Sequence, residues 1–145
     1  MQYILHPVLL SVFVSVISAQ LLKTIFDTIR THHFNWRSLF RGAGMPSSHT
    51  ATVTSLAIGV YLYEGFTTQF IIAFVFAALV IRDVIGDKVF ATHQENIINR
   101  FIEEIRHHQK VTWNHLIGHS LVEVSAGFVL ATILTFCVFY FAGVL

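Results

Sequence analysis

Four long apolar stretches alternate with polar segments along the chain. The first runs from Pro7 to Leu22 and ends at Lys23. The second follows Pro46 and runs from Ser47 through Thr50, Ala57, Ile58 and Val60 to Tyr63. The third runs from Thr68 to Ile85, and the fourth from Leu121 to Leu145. A helix needs about 20 residues to cross roughly 30 Å of hydrocarbon. The fourth stretch meets that length and the third nearly does. The first does so if Lys23 carries its ammonium to the interface and leaves its methylenes in the apolar layer. Pro7 suits a first helical position. The second stretch is short and is expected to begin below the interface, inside the protein. The pattern predicts an all-α, polytopic membrane bundle of about four transmembrane helices, forming one membrane-embedded domain over residues 1–145.

One segment breaks the apolar pattern. From Asp87 to Gln109, Ile97, Ile98, Phe101, Ile102 and Ile105 recur at helical spacing among Glu95, Arg100, Glu103, Glu104 and Arg106. This predicts an amphipathic helix, lying on the membrane or packed over the bundle, with a solvated helix laced by ion pairs as the plainer reading.

Composition agrees with a membrane chain. Of 145 residues, 54% are hydrophobic and 12% charged, against about 25% charged in soluble domains. A chain this short cannot hide so much apolar surface in a core, so lipid must cover the rest. The bilayer is therefore an expected partner, and no nucleic-acid partner is expected.

Charge then orients the spans. All nine Lys and Arg fall in two segments: Lys23, Arg30, Arg37 and Arg41, then Arg82, Lys88, Arg100, Arg106 and Lys110. The Glu64-Gly65 turn and both termini carry none. Four spans put both basic segments on one side, and the excess of Lys and Arg makes that side cytoplasmic. The expected location is the cell membrane. The N-terminus lacks a basic region and a small-residue cleavage site, so no cleaved signal peptide is expected. The single cysteine, Cys137, lies in an apolar run, where a packing or lipid-facing role is expected. Ala126, Gly127 and Ala131 suit close helix packing, within the bundle or between copies in a homo-oligomer.

Three clusters could carry chemistry. In Gly42-Ala43-Gly44-Met45-Pro46-Ser47-Ser48-His49 the glycines allow a tight bend, Pro46 suits a helix start, and Ser47 or Ser48 can cap it. Free N–H groups at such a start attract phosphate, and His49 in the first turn can donate a proton. The plainer reading is an ordinary helix cap. In Gly118-His119-Ser120-Leu121-Val122-Glu123, the histidine and the acid are four apart and share a helix face. A carboxylate there can hold one imidazole nitrogen and raise the basicity of the other, which suits a nucleophile or base. The plainer reading is a pair that ties two helices together. Lys23 and Arg30 lie two helical turns apart, so both can face one phosphate. They also serve as ordinary basic residues at a membrane border. Asp83 and Asp87 can hold a divalent cation through oxygen, although pairing with Arg82, Lys88 or Arg106 is simpler.

The order of these clusters resembles the superfamily of type-2 phosphatidic acid phosphatases and vanadium haloperoxidases, and in particular its small divergent branch. The similarity lies in Ala19-Gln20-Leu21-Leu22-Lys23, Gly44-Met45-Pro46-Ser47-Ser48-His49, Asp83 with Gly86 and Lys88, Gln94 and Asn99, and Leu116-Ile117-Gly118-His119 with Glu123. It covers almost the whole chain. The resemblance implies a membrane-embedded, metal-independent phosphatase that hydrolyses a lipid phosphate or diphosphate without a cofactor. His119 would attack phosphorus and become a phosphohistidine, Glu123 would orient it, and His49 would protonate the leaving oxygen. Lys23, Arg30, Ser47 and Ser48 would neutralise the phosphoryl oxygens.

Four positions depart from the superfamily pattern. Thr112 and Trp113 stand where the superfamily has Ser-Arg, the acid is Glu123 rather than Asp, and no proline follows Arg30. Arg82 and Lys88 are the candidate substitutes for the absent cation. A non-catalytic membrane protein of the same fold, binding a lipid phosphate or a partner protein, is the alternative. A small channel or transporter subunit would need more polar residues in the spans.

Overall fold

The computed structural model describes residues 6–33, 44–104 and 118–144. Four helices account for nearly all of them: α1 Pro7–Thr31, α2 Ser48–Glu64, α3 Thr68–Glu104 and α4 Leu121–Phe141. Three of these, α1, α3 and α4, are long and apolar enough to cross a membrane. α2 has 17 residues, about 25 Å at 1.5 Å per residue. It is also the most enclosed helix, packed against α1, α3 and α4. This matches the short, internally started second span.

The termini of the helices follow local rules. Pro7 occupies the start of α1, where its missing N–H costs nothing. Ser47 caps α2 and Ser120 caps α4, each accepting from an N–H three residues on. The amphipathic segment is helical as far as Glu104, but it is not a separate element, and its last positions, Ile105 to Gln109, lie outside the described residues. It continues the third span without a break, giving α3 a length of 37 residues. That is about 55 Å, so α3 outruns the hydrocarbon by about 25 Å. Gly86 does not stop it, because one interior glycine costs only about 1 kcal/mol.

Small residues set the packing. Ala19, Ala51 and Ala131 form a fully buried cluster joining α1, α2 and α4. Gly59 lies against Ser11 and Val8 of α1. Val53 and Ala57 of α2 meet Ala73 and Ala77 of α3. Such contacts let helix backbones approach where lipid removes the hydrophobic drive. Among the described residues α3 touches α2, with a slight contact to α4 and none to α1. Ile72, Phe74, Val75, Phe76 and Leu79 are left facing outward.

The interior is more polar than the apolar runs imply. Ser11, Ser15, Thr50, Thr54, Ser55 and Thr135 are buried. Ser11 and Ser55 meet this by donating to carbonyls of the preceding turn, at 2.8 Å each.

α1 and α3 run toward one end of the bundle, α2 and α4 away from it. At the far end His6 stacks edge-on against Tyr63, ring centroids 4.3 Å apart. At the near end Lys23, Gly44, Lys88 and Gly118 gather. Both basic segments thus share one end, as far as the described residues extend. Arg37, Arg41, Arg106, Lys110, Thr112, Trp113 and the His107-His108 pair lie outside those residues.

Candidate active site

The N-termini of α2 and α4 start side by side. The Ser47 N–H, at the cap of α2, donates to the Glu123 carbonyl in the first turn of α4 at 3.0 Å. Gly127, one turn further on, makes the approach feasible. A Cβ there would sit 2.5 Å from the Ser47 carbonyl oxygen. Gly127 and Ala131 therefore serve packing inside this chain.

His119 is 2% exposed and is held from several sides. Its N–H donates to the Val84 carbonyl of α3 at 2.9 Å. Gly118, at φ +68°, lets the chain pass against the α3 backbone, where a Cβ would come 2.2 Å from the Lys88 nitrogen. The ring Nδ1 lies 2.8 Å from Glu123 Oε2.

The pair is not made along one helix face, as the spacing predicts. His119 precedes the cap Ser120, while Glu123 is the third helical residue and its N–H donates to Ser120 Oγ at 3.3 Å. A carboxylate at that position naturally reaches back over the helix start. Here it takes the imidazole.

This bond fixes the chemistry of the ring. An ionised carboxylate only accepts, so Nδ1 carries the proton and the neutral ring keeps its lone pair on Nε2. Burial pushes the His119 pKa below its usual 6.5, while the Glu123 bond and charge oppose that shift. Lys23 and His49 depress it further. The ring is therefore neutral at pH 7, with Nε2 as its basic nitrogen.

His49 stands across from it, ring centroids 5.8 Å apart at 60°, and is exposed. The two histidines therefore border one site. Lys23 is 3% exposed, and its methylene stem lies under Gly44, whose notional Cβ would come 2.8 Å from Lys23 Cε. Ser47 is fully buried, and its Oγ accepts from the Thr50 N–H at 3.3 Å and the Thr50 hydroxyl at 3.1 Å. Ser48 is buried, and its Oγ accepts from Gln20 Nε2 at 3.4 Å. So Lys23, Ser47, Ser48, His49, His119 and Glu123 share one end of the bundle.

Other predicted residues stand apart. Arg30 is exposed in the last turn of α1. Arg82 is exposed on α3, and Lys88 is half-buried with its backbone under Gly118. Asp83 and Asp87 are exposed. Among the described residues no three His, Cys, Asp or Glu are grouped to hold a metal ion. Cys137 faces outward from α4.

Sequence reasoning assigned no role to Gln20, although it lies one turn before Lys23 on the same helix. It also missed the Val84 carbonyl, for which no residue-level signal exists.

The chain has relatives among known proteins. The chain is 31% identical over 148 aligned positions to the uncharacterized membrane protein YuiD of Bacillus subtilis (strain 168). That alignment covers 92% of this chain and 94% of the relative. No solved structure matches. The profile of the Divergent PAP2 family matches residues 4–134, a stretch that contains every residue of the site. An integral membrane protein with these motifs in this order, the chain belongs to the Divergent PAP2 family.

Proposed function

We propose that this protein is a phosphatase acting on a lipid phosphate or diphosphate through a phosphohistidine on His119. The observation that carries this reading is the buried His119, its Nδ1 held by Glu123 at 2.8 Å and the His49 ring beside it, centroids 5.8 Å apart. In the first step Nε2 of His119 bonds to phosphorus as the bond to the lipid oxygen breaks, and His49 gives that oxygen its proton. The imidazolium that forms is stabilised by Glu123. Water then attacks phosphorus and gives its proton to the deprotonated His49, the N–P bond breaks with its electron pair returning to Nε2, and phosphate leaves. Lys23, the Ser47 and Ser48 hydroxyls and the start of α2 neutralise the phosphoryl oxygens. Arg30, exposed in the last turn of α1 and apart from these groups, is assigned no contact with the phosphoryl group. The gathering of basic residues at this end supports a site on the cytoplasmic face of the cell membrane.

The test is release of inorganic phosphate from phosphatidate, phosphatidylglycerophosphate and polyprenyl phosphates by purified protein in detergent. The unaltered protein releases phosphate from at least one class, and His119→Ala from none. The departure at Thr112 and Trp113 favours a second reading, a phosphate-binding protein without turnover. Folded protein that binds these lipids and cleaves none of them would select it.

A further inference from the structure

The Gln20 carboxamide is divided between two environments. Nε2 donates to Ser48 Oγ at 3.4 Å, while Oε1 is buried and, among the described residues, accepts no hydrogen bond. The two ends of a carboxamide share one carbon, so the orphan oxygen lies beside Ser48 at the start of α2. Lys23 is one turn further along α1, and Ser47 is the adjacent cap. The groups gathered here are donors: an ammonium, two hydroxyls and the free N–H groups of a helix start. A buried acceptor among them does not suit a fully deprotonated oxyanion, whose oxygen would face the carbonyl oxygen with no proton between them. It suits an oxyanion with one protonated oxygen.

We propose that Gln20 is a specificity-determining residue whose Oε1 accepts a hydrogen bond from a P–OH of the bound phosphoryl group. The seat then takes a terminal phosphate that keeps one P–OH and rejects oxyanions without one. This rests on the phosphate-site reading above, and extends it to a residue outside the histidine machinery.

The test compares inorganic phosphate with inorganic sulfate at mildly alkaline pH, by calorimetry on the full chain in detergent. The two anions then match in size and charge, and only phosphate carries a proton. Phosphate is expected to bind about tenfold tighter, the size of one net hydrogen bond in a dry site. Gln20→Leu should reduce that preference to within about twofold. Gln20→Glu keeps an acceptor and should retain the preference while weakening both anions. Equal affinity of the unaltered protein for the two anions overturns the inference and leaves the phosphate site standing, as expected if the amide N–H₂ faced the anion. A preference that survives in Gln20→Leu also overturns it. Binding of neither anion overturns the phosphate site together with the inference. Should Gln20→Leu fail to fold, the comparison on the unaltered protein and on Gln20→Glu still decides.

Discussion

The N–H of Ser47 and the carbonyl of Glu123 are joined by a 3.0 Å hydrogen bond, which ties the start of α2 to the start of α4. Glu123 thus has two duties. Its main chain holds the α2 cap, and its side chain holds His119. The residues that would seat a phosphate and the residue that would attack it are therefore fixed by one helical turn.

This junction has no room to give. Gly127→Ala would put a Cβ 2.5 Å from the Ser47 carbonyl oxygen, and Gly118→Ala would put one 2.2 Å from the Lys88 nitrogen at a φ of +68°. In each case the neighbour is backbone and cannot swing aside. Each substitution is expected to destabilise the protein by about 2 kcal/mol or more, with Gly118→Ala the worse because left-handed strain adds to the clash. Thermal unfolding in detergent measures both. Gly65→Ala is the matched comparison, since its φ is +76° and nothing lies within 4 Å. It carries strain alone and should cost less than Gly118→Ala.

The acid limb of activity should report His119. Attack needs the unprotonated Nε2, so rate falls as pH drops through the pKa of the ring. Burial holds that pKa below 6.5, with Glu123 opposing the shift. Removing the Glu123 charge withdraws support from the protonated form, so Glu123→Gln should move the acid limb to lower pH while slowing turnover. Profiles of kcat/KM for the two proteins on one substrate cancel the titration of the substrate. A limb that moves to higher pH would deny His119 this role.

His49 should matter in proportion to the leaving group. His49→Ala removes a proton donor worth roughly a hundred- to ten-thousand-fold. The loss should approach that range with a lipid alkoxide and shrink for a nitrophenolate, which departs without a proton. Equal losses on both substrates would assign His49 to binding or packing.

Much of this arrangement is written in local pattern. The apolar runs mark all four helices, and the start of α2 is marked to within one residue, at Ser47 or Ser48, of which Ser47 is the cap. The His119–Glu123 pair follows from spacing. Its geometry does not, because whether a helix begins before or after His119 depends on which residue becomes the cap. The length of α3 is also hidden, since the change from apolar to charged residues near Asp83 reads as an ending although helix propensity continues through it. The contacts of Gly118 with α3 and of Gly127 with Ser47 are tertiary, and a lone glycine does not say what approaches it. Gln20 was visible as a polar residue one turn from Lys23, but its orphan oxygen emerges only once Ser48 is placed.

A nucleophilic His119 becomes covalently phosphorylated during turnover. The most direct measurement is a rapid quench of the protein with lipid phosphate labelled in its phosphoryl group, followed by mapping of the label. Label is expected on His119, stable to base and lost in acid as a phosphoramidate is, and absent from His119→Ala. Turnover that persists in a folded His119→Ala protein, or label on any other residue, would contradict it.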